Sequence, residues 1–424
     1  MGVTVGRRGR VVDVVAPRRL GTPFRWLLAS SWTSNLGDGI AVAAGPLLVA
    51  AQTDSAFLVS MAAAAVWAPA LLVGLHAGVV TDRVDRRRIV VAVDLVRVAV
   101  LVVLTASILT DTVSIAVVLV ALLALGTAET FADNASAALL PMLVARDDLA
   151  VANARLQTGF LTVNQLAGPP LGAALFAAGA AWAFGAQAVL VLLGAVLVAR
   201  VAAPTAPRAG RSGPTGTSVR HEIAEGLRWL WHHAAVRTLA IVILVFNVTY
   251  GAAWSVLVLY ATERLGLGEV GFGLVTTVTA AGGLLGIVSY GWITRHLSLG
   301  DVMRVGLVIE TLTHAALALT TSAWVALPVF FVFGAHAFVW GTTSTTVRQR
   351  AVPTELQGRV GAAYRVAVFG GLVVGAGVGG VLAQVGSVTT PFWFAFAGSA
   401  VLLVLVWPQL SHIAHADDTG EPAP

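Results

Sequence analysis

The chain contains 424 residues, of which 57% are hydrophobic and only 11% are charged, whereas soluble domains usually carry about 25% charged residues. Because so few charges cannot cover a surface in water, the composition excludes a soluble globular protein and indicates one that is solvated by lipid. The net charge of +5 favours anionic lipid headgroups over nucleic acid as the partner, because most arginines fall at predicted helix ends and in loops.

Long apolar runs predict twelve membrane-spanning helices, since about 20 apolar residues cross a bilayer as a helix. Their continuity, without strict alternation, excludes a β-barrel. The predicted spans are residues 24–51, 57–80, 88–110, 112–138, 153–179, 181–201, 236–262, 269–293, 299–320, 322–346, 358–386 and 388–408. They form two six-helix bundles, at 23–201 and 236–408, between cytoplasmic tails at 1–22 and 409–424.

The connection between the bundles, residues 202–235, is rich in Pro, Gly and Ser. This composition is typical of a flexible linker, and an even number of spans on each side places it in the cytoplasm. Its last part, Val219–His233, is predicted to be an amphipathic helix at the membrane surface, with Leu227 and Leu230 on its apolar face.

The first predicted span carries a carboxylate, Asp38, near its middle, with Asn35 one turn before it on the same face. Charges inside a membrane are costly and usually functional. A carboxylate at this depth without a cation partner is suited to carrying a proton, and a structural hydrogen bond to a neighbouring helix is the alternative. Asp94 and Arg97 of span 3 can neutralise each other; if Arg97 instead reaches Asp38, the proton hypothesis weakens.

A charged segment, Gly78–Arg88, separates spans 2 and 3 and is predicted to be a loop. A loop this short cannot cross the bilayer, and its arginines place it in the cytoplasm. Its spacing, Gly-x-x-x-Asp-Arg-x-x-Arg-Arg, resembles the loop signature of the major facilitator superfamily, in which this loop latches the two halves together. The resemblance implies that role for Gly78, Asp82, Arg83 and Arg86, and Asp82 can also cap a neighbouring helix. The alternative is a generic positive-inside loop.

Further ionisable residues fall within predicted spans. Glu129 and Asp133 share one face of span 4 toward its cytoplasmic end, and Glu310 and His314 lie one turn apart in span 9. All four are candidates for proton coupling. A solvated vestibule is the alternative for the first pair and mutual pairing for the second, while the single His336 is interpreted as a packing residue.

Span 5 carries Gly168, Pro169 and Gly172, which match the antiporter signature of superfamily exporters, Gly-x-x-x-Gly-Pro-x-x-Gly-Gly. The match departs at Asn164, where Gly is usual, and at Ala173. Small residues let helices approach closely, and proline bends a helix and removes a hydrogen bond. These properties favour a gating helix and export; plain tight packing is the alternative.

Span 11 supplies the expected counterpart of this gating helix. Its Gly375 and Gly379 align with the two glycines of the span 5 signature when the halves of the sequence are superposed. The amide side chains of Asn164 and Gln165, next to that signature, are candidates for contact with substrate.

Asn247, Tyr250 and Trp254 share one face of span 7. Span 7 is the repeat partner of span 1, because the sequence is duplicated: Phe131–Leu149 aligns without gaps over Phe338–Leu356. Transporters built from such repeats carry substrate near the midplane between them. We therefore expect this face and the polar face of span 1 to line one cavity, with interhelix packing as the alternative.

Short segments throughout the chain carry a family resemblance. They are Asn35–Ile40, Asp82–Ile89, Leu140–Val144 with Asp148–Leu149, Asn153–Arg155 and Val352–Val360. On these segments the chain resembles the major facilitator superfamily over residues 24–408, and within it the bacterial exporters related to the enterobactin and macrolide efflux proteins. That branch commonly has Pro and Arg in a stretch of span 4 where this chain has Asn134 and Ser136, so no role of that Arg is carried over.

The expected fold is an all-α integral membrane protein with twelve transmembrane helices in two pseudo-symmetric six-helix bundles. No enzyme motif is evident, and no cofactor is expected beyond the proton gradient that supplies energy. We expect a monomeric exporter of a small amphipathic compound, such as a drug, siderophore or secondary metabolite, in the bacterial inner membrane with both termini cytoplasmic. The alternatives are a symporter that imports a nutrient and a membrane scaffold that transports nothing.

Overall fold

The computed structural model describes residues 17–202, 227–353 and 356–410. These residues are almost entirely helical and include no β-strand, which confirms the predicted all-α class. Nine of their helices are long and apolar enough to span a bilayer on their own, and shorter apolar helices occupy Ala56–Leu72 and Thr390–Val406. Each of the twelve predicted spans corresponds to a helix or to consecutive helical segments.

The first six spans include two that are built from shorter segments. Their bounds are α1 Gly21–Gln52, α2 Ala56–Leu72 and Gly74–Arg83, α3 Arg86–Leu109, α4 Ile115–Leu143, α5 Leu149–Gly159, Phe160–Ala167 and Gly168–Ala178, and α6 Ala180–Ala199. The middle segment of α5 is π-helical. Pro169 and Pro170 follow it, and their missing N–H groups remove the donors that regular α-helical bonding would need there.

The last six spans repeat this arrangement. Their bounds are α7 Ala234–Trp254, continued by Leu257–Leu259 and Tyr260–Arg264, α8 Glu269–His296, α9 Leu299–Leu319, α10 Ala323–Ala351, α11 Gln357–Val385 and α12 Thr390–Val406. The final segment of α7 is π-helical. Ser298 caps the start of α9, because its side chain accepts the Asp301 N–H at 3.1 Å.

The connection between α2 and α3 is shorter than predicted. The second segment of α2 continues to Arg83 and α3 begins at Arg86, so only Val84 and Asp85 lie between them. The predicted loop was wrong because a basic last turn favours a helix C-terminus, where the helix dipole is negative. The α3 cap is Asp85, whose carboxylate accepts the Arg88 N–H at 3.1 Å. The side chain of Asp82 lies outside the described residues.

The contacts divide the described residues into two compact units. The first contains residues of 1–48 and 72–211, and the second contains residues of 49–71 and 212–424. The first segment of α2 is therefore packed within the second unit. There, Ser55 Oγ donates to Gln384 Oε1 of α11 at 2.9 Å.

Glycines bring one pair of helices in each unit into backbone contact. In the first unit, a Cβ atom on Gly39 of α1 would lie 2.9 Å from the Cα of Gly168 in α5. In the second, a Cβ atom on Gly375 of α11 would lie 2.4 Å from the carbonyl oxygen of Val248 in α7, beside the Cα of Gly251. Real Cβ atoms do not approach backbone so closely, so α1–α5 and α7–α11 are equivalent pairs that depend on glycine.

Several terminal and linker predictions fall on residues that are not described. Residues 1–16, 203–226 and 411–424 lie outside the described residues, and they include most of both predicted tails and most of the linker. Of the predicted amphipathic helix, residues 227–232 are described and are helical. Within them Leu230 is buried and Leu227 is exposed.

Candidate functional site

An ion cluster lies inside the first unit, where Arg97 of α3 is only 3% exposed. Its guanidinium pairs with Asp38 of α1 and, at 3.1 Å from Nη1 to Oδ1, with Asp94 of its own helix. The prediction that Asp38 has no cation partner is therefore wrong. Arg97 reaches Asp38, which was the alternative considered from the sequence. The planar fork of arginine allows one side chain to hold both carboxylates.

Gln187 of α6 joins this cluster and was missed by the sequence reasoning. Its side chain is buried and acts on the Asp38 carboxylate. Its Oε1 atom is buried without a hydrogen-bond partner among the described residues. Gly37 of α1 packs against α6 next to it, where a Cβ atom would lie 3.3 Å from Leu190 Cβ. An amide in the otherwise apolar span 181–201 was the available signal.

Two more carboxylates act on the same arginine. Glu129 and Asp133 of α4 interact electrostatically with Arg97. Glu129 is half-buried and Asp133 is exposed. Together with Asp38 and Asp94, the carboxylates of the cluster outnumber its guanidinium, so they cannot all be ionised without leaving uncompensated negative charge in the membrane.

The amide side chains of the first unit that were predicted to contact substrate form hydrogen bonds within their own helices. Asn35 Nδ2 donates to the carbonyl oxygen of Ser31, one turn earlier, at 2.8 Å. Asn164 is buried in the π-helical part of α5, where its Oδ1 accepts from Gln165 Nε2 at 2.6 Å. The structure thus places these amides on α1 and α5 near the close helix contact, with their hydrogen bonds directed mainly along their own helices.

A second polar cluster is buried in the second unit around Glu310 of α9. Glu310 pairs with His314, as one of the two sequence-based interpretations predicted, and the His314 Nε2 atom lies 2.9 Å from Glu310 Oε1. His336 of α10 adds a second contact, with Nε2 at 3.3 Å from Oε2. His336 is therefore a buried side chain with a satisfied hydrogen bond, as its interpretation as a packing residue implies, but its partner Glu310 was not predicted. The internal repeat carried the signal, because it aligns His336 with Glu129.

The predicted polar face of α7 is divided between two neighbours. Asn247 is buried against α11, where a Cβ atom on Gly371 would lie 2.9 Å from Asn247 Cβ. Tyr250 and Trp254 instead face α10, with ring centroids 5.9 and 4.4 Å from that of Phe333. The structure therefore brings Tyr250 and Trp254 together and separates Asn247 from them.

The two units place these side chains in register. In the first unit, Gly39 and Ile40 of α1 lie against the glycines of α5. In the second unit, Gly251 and Ala252 of α7 lie against Gly375 and Gly379 of α11 in the same way, so they are the equivalent positions. The same register aligns the Asp38 position with Tyr250 and the Asn35 position with Asn247. One unit thus carries an arginine between acids, and the other carries an acid between histidines beside aromatic rings.

The latch and gating candidates lie at the ends and contacts of the helices. Gly78 is half-buried and a Cβ atom on it would meet no other atom within 4 Å. Arg83 is exposed, and Arg86 Nη1 lies 2.7 Å from the sulfur of Met142. Pro169 is buried at the start of the last segment of α5.

Comparisons with known proteins agree with this architecture. The model of a family described as transmembrane secretion effectors matches residues 13–420. The chain is 30% identical to the multidrug efflux pump Tap of Mycolicibacterium fortuitum over 378 residues, which are 85% of this chain and 88% of Tap. The solved nucleoside transporter NupG (D323A mutant) superposes with a TM-score of 0.71 at 11% identity, over 92% of this chain and all of that one. A bacterial homologue of the iron transporter ferroportin, inward-facing, superposes with a TM-score of 0.69 at 18% identity, over 92% and 98%.

Proposed function

Because the chain belongs to the transmembrane secretion effector family of major facilitator transporters, we propose that it exports small amphipathic compounds in exchange for protons, by alternating access. The description of the family and the efflux activity in the name of Tap support export over import. Drugs, siderophores and secondary metabolites fit this class of compound. The amide and aromatic side chains of α1, α5 and α7 are proposed to contact it.

The observation that carries proton coupling is the excess of carboxylates over Arg97 in the first unit. A proton that binds Asp38 removes its attraction to Arg97, which then pairs with Asp94 alone. Loss of that proton restores the link from α1 to α3. In an interior of low dielectric this exchange changes the interaction between two helices strongly, which a proton-driven conformational cycle requires.

The close contact between α1 and α5 allows protonation of Asp38 to move more than one helix. Asp38 precedes Gly39, whose backbone lies against Asn164 and Gly168 of α5. A shift of α1 relative to α3 therefore displaces α5 with it, because well-packed backbones cannot slide independently. In this proposal the glycines of the antiporter-like signature keep α1 and α5 moving as one body.

The orientation follows from the distribution of arginine. Arg83, Arg86, Arg87 and Arg88 lie at the junction of α2 and α3, and such residues concentrate on the cytoplasmic side. We propose a protein of the bacterial plasma membrane with both termini in the cytoplasm, acting as a monomer.

Proton coupling is tested in inside-out vesicles with an acidic lumen, by following the accumulation of a panel of lipophilic dyes. Asp38→Asn keeps the size of the side chain but binds no proton, so we expect pH-driven accumulation to be lost. Asp54→Asn, a change of the same kind at an exposed residue, is expected to behave as wild type. Unchanged pH-driven accumulation in Asp38→Asn would remove Asp38 from the mechanism, and wild-type transport that ignores the gradient would exclude proton coupling.

A further inference from the structure

Two arginines lie close together at the end of the second unit where α10 ends and α11 begins. Arg348 belongs to the last turn of α10 and is half-buried, and Arg365 of α11 is exposed. Their positive charges act on each other. Within the described part of the chain, neither side chain has an ion-pair or hydrogen-bond partner. These two residues are called the arginine pair.

The ring of Tyr364 holds Arg348 in a fixed position. The guanidinium carbon of Arg348 lies over this ring, 4.1 Å from its centroid. The Tyr364 hydroxyl is hydrogen bonded to Ser344 Oγ at 2.7 Å, and both residues are buried. Stacking occupies the face of the guanidinium and leaves the N–H groups on its edge, which form a fork that fits two oxygens of a phosphate. Arg348 is therefore oriented for an anion before one binds.

The arginine pair differs from the other buried arginine of the molecule in having no acid beside it. Arg97 lies between carboxylates, whereas the charges that act on Arg348 include a second arginine. A half-buried charge without a counterion is costly. A preference of arginine for the cytoplasmic side does not require two of them to meet, with one fixed on a ring. An anion held by both would remove their repulsion and connect α10 with α11.

The arginine pair lies at the level where the apolar layer ends. Arg365 comes directly before Val366–Val385, an almost wholly apolar run of the length that crosses the hydrocarbon core, about 20 residues. Arg348 is in the last turn of α10 at the same end of the unit. Both guanidiniums are therefore at the depth of the lipid phosphates rather than inside the hydrocarbon.

A short helical segment, residues 227–232, marks the same membrane surface. Its Leu230 is buried in one apolar cluster with Tyr364, whereas Leu227 and Trp231 are 51% and 59% exposed. Tryptophan is enriched at the headgroup level of membranes, and exposed apolar residues of an interfacial helix insert among lipids. The segment thus places the ring beneath Arg348 next to lipid headgroups.

We propose that the arginine pair binds the phosphate of an anionic phospholipid, which joins the ends of α10 and α11. Soluble phosphate offers the same chemistry, but a lipid is favoured because its acyl chains lie in the apolar layer that begins at Val366, which keeps its headgroup concentrated at this depth. The site goes beyond the proposed transport function, since it needs neither an exported compound nor a proton gradient. In the orientation proposed above, the lipid belongs to the cytoplasmic leaflet.

Native mass spectrometry of the purified full-length protein in a mild detergent tests this site, because it counts bound lipids at each lipid concentration. The probes are phosphatidylglycerol, which carries a net negative charge, and phosphatidylcholine, whose phosphate is neutralised by its own choline. We expect wild type to bind the first phosphatidylglycerol about tenfold more tightly than phosphatidylcholine. Millimolar inorganic phosphate, at constant ionic strength, is expected to leave the bound phosphatidylglycerol in place.

Matched variants separate the arginine pair from the general positive charge of this surface. Arg348→Gln is expected to weaken phosphatidylglycerol binding about tenfold, as loss of charge-assisted hydrogen bonds implies, and Arg365→Gln about fivefold. Arg348→Lys keeps the charge without the planar fork and is expected to lose about threefold. Arg295→Gln removes the same charge from the exposed last turn of α8, where Arg295 Nε donates to the carbonyl oxygen of Gly291 at 2.8 Å, and is expected to stay within about twofold of wild type.

Equal wild-type affinity for the two lipids would overturn the inference, as would equal weakening by Arg365→Gln and Arg295→Gln. Displacement by inorganic phosphate would assign the site to soluble anions and overturn the lipid assignment. If Arg348→Gln does not fold, the exposed Arg365→Gln and its control still decide the proposal. Asp38→Asn is expected to keep phosphatidylglycerol binding, so failure of proton-coupled export and failure of the lipid site give different results.

Discussion

Replacing Gly379 with alanine is expected to disrupt the contact between α7 and α11. A Cβ atom on Gly379 would lie 2.6 Å from the Cα of Ala252 and 2.7 Å from its carbonyl carbon. Backbone atoms cannot rotate away from such an overlap, so the two helices must separate. Gly377, two residues earlier on the same helix, is the matched control, because a Cβ atom there would meet no other atom within 4 Å.

The two variants are expected to differ in the sign of their effect on stability. Alanine stabilises a helix interior by up to about 1 kcal/mol relative to glycine, and Gly377→Ala should show this gain alone. Overpacking a close contact costs about 1–3 kcal/mol, so Gly379→Ala should be less stable than Gly377→Ala by about that amount. Because Gly377→Ala corrects for helix propensity, the difference in free energy of unfolding between the two variants reports the contact between α7 and α11.

The free energy of unfolding is measured by titrating purified protein in mixed micelles with a denaturing detergent while helicity is followed by circular dichroism. Dye export by the same variants shows whether the contact matters for the cycle as well as for stability. Equal stability of the two variants, or a gain for Gly379→Ala, would refute the reasoning that α7 and α11 approach each other through this glycine.

Arg97→Met should lower the free energy of unfolding by about 3–5 kcal/mol, because it leaves buried carboxylates without a cation. Adding Asp38→Asn should recover part of that loss in the same titration, and a double variant no more stable than Arg97→Met would contradict the ion cluster. Asp85→Ala should cost about 1 kcal/mol by removing the cap of α3, and Asp85→Asn, which can still cap, should cost less. Protease added to intact cells should leave residues 202–235 uncut, whereas inside-out vesicles should allow cleavage; cutting in intact cells would reverse the proposed orientation.

The spans and the family could be predicted from the sequence because both depend on local signals. Runs of apolar residues fix the helices, and the family comparison confirms the resemblance that short motifs such as Asn35–Ile40 carry. Gly168 and Gly172 were also predicted to pack closely, and both face the backbone of α1. The C-terminal end of α2 was harder to predict. The charged run at 82–88 predicts a loop, although in the structure it ends α2 and begins α3.

The partner that a buried charge takes on another helix could not be decided from the sequence, because it depends on which helices face each other. Arg97 is one turn from Asp94, so a local pair was easy to infer, but its contact with Asp38 crosses from α3 to α1. His336 reaches Glu310 from another helix in the same way. The stacking of Tyr250 on Trp254 follows from their four-residue spacing on α7, whereas their contacts with Phe333 depend on the packing of α7 against α10.

In the proposed mechanism, protons move in exchange for the exported compound. Proteoliposomes are loaded with a dye that wild-type vesicles accumulate and with a pH-sensitive fluorophore, and they are diluted into dye-free buffer of the same pH. Exchange predicts that the lumen becomes acidic as the dye leaves, and that Asp38→Asn abolishes this acidification while protein-free liposomes show none. A lumen that keeps its pH during protein-dependent dye efflux, or becomes alkaline, would contradict the account.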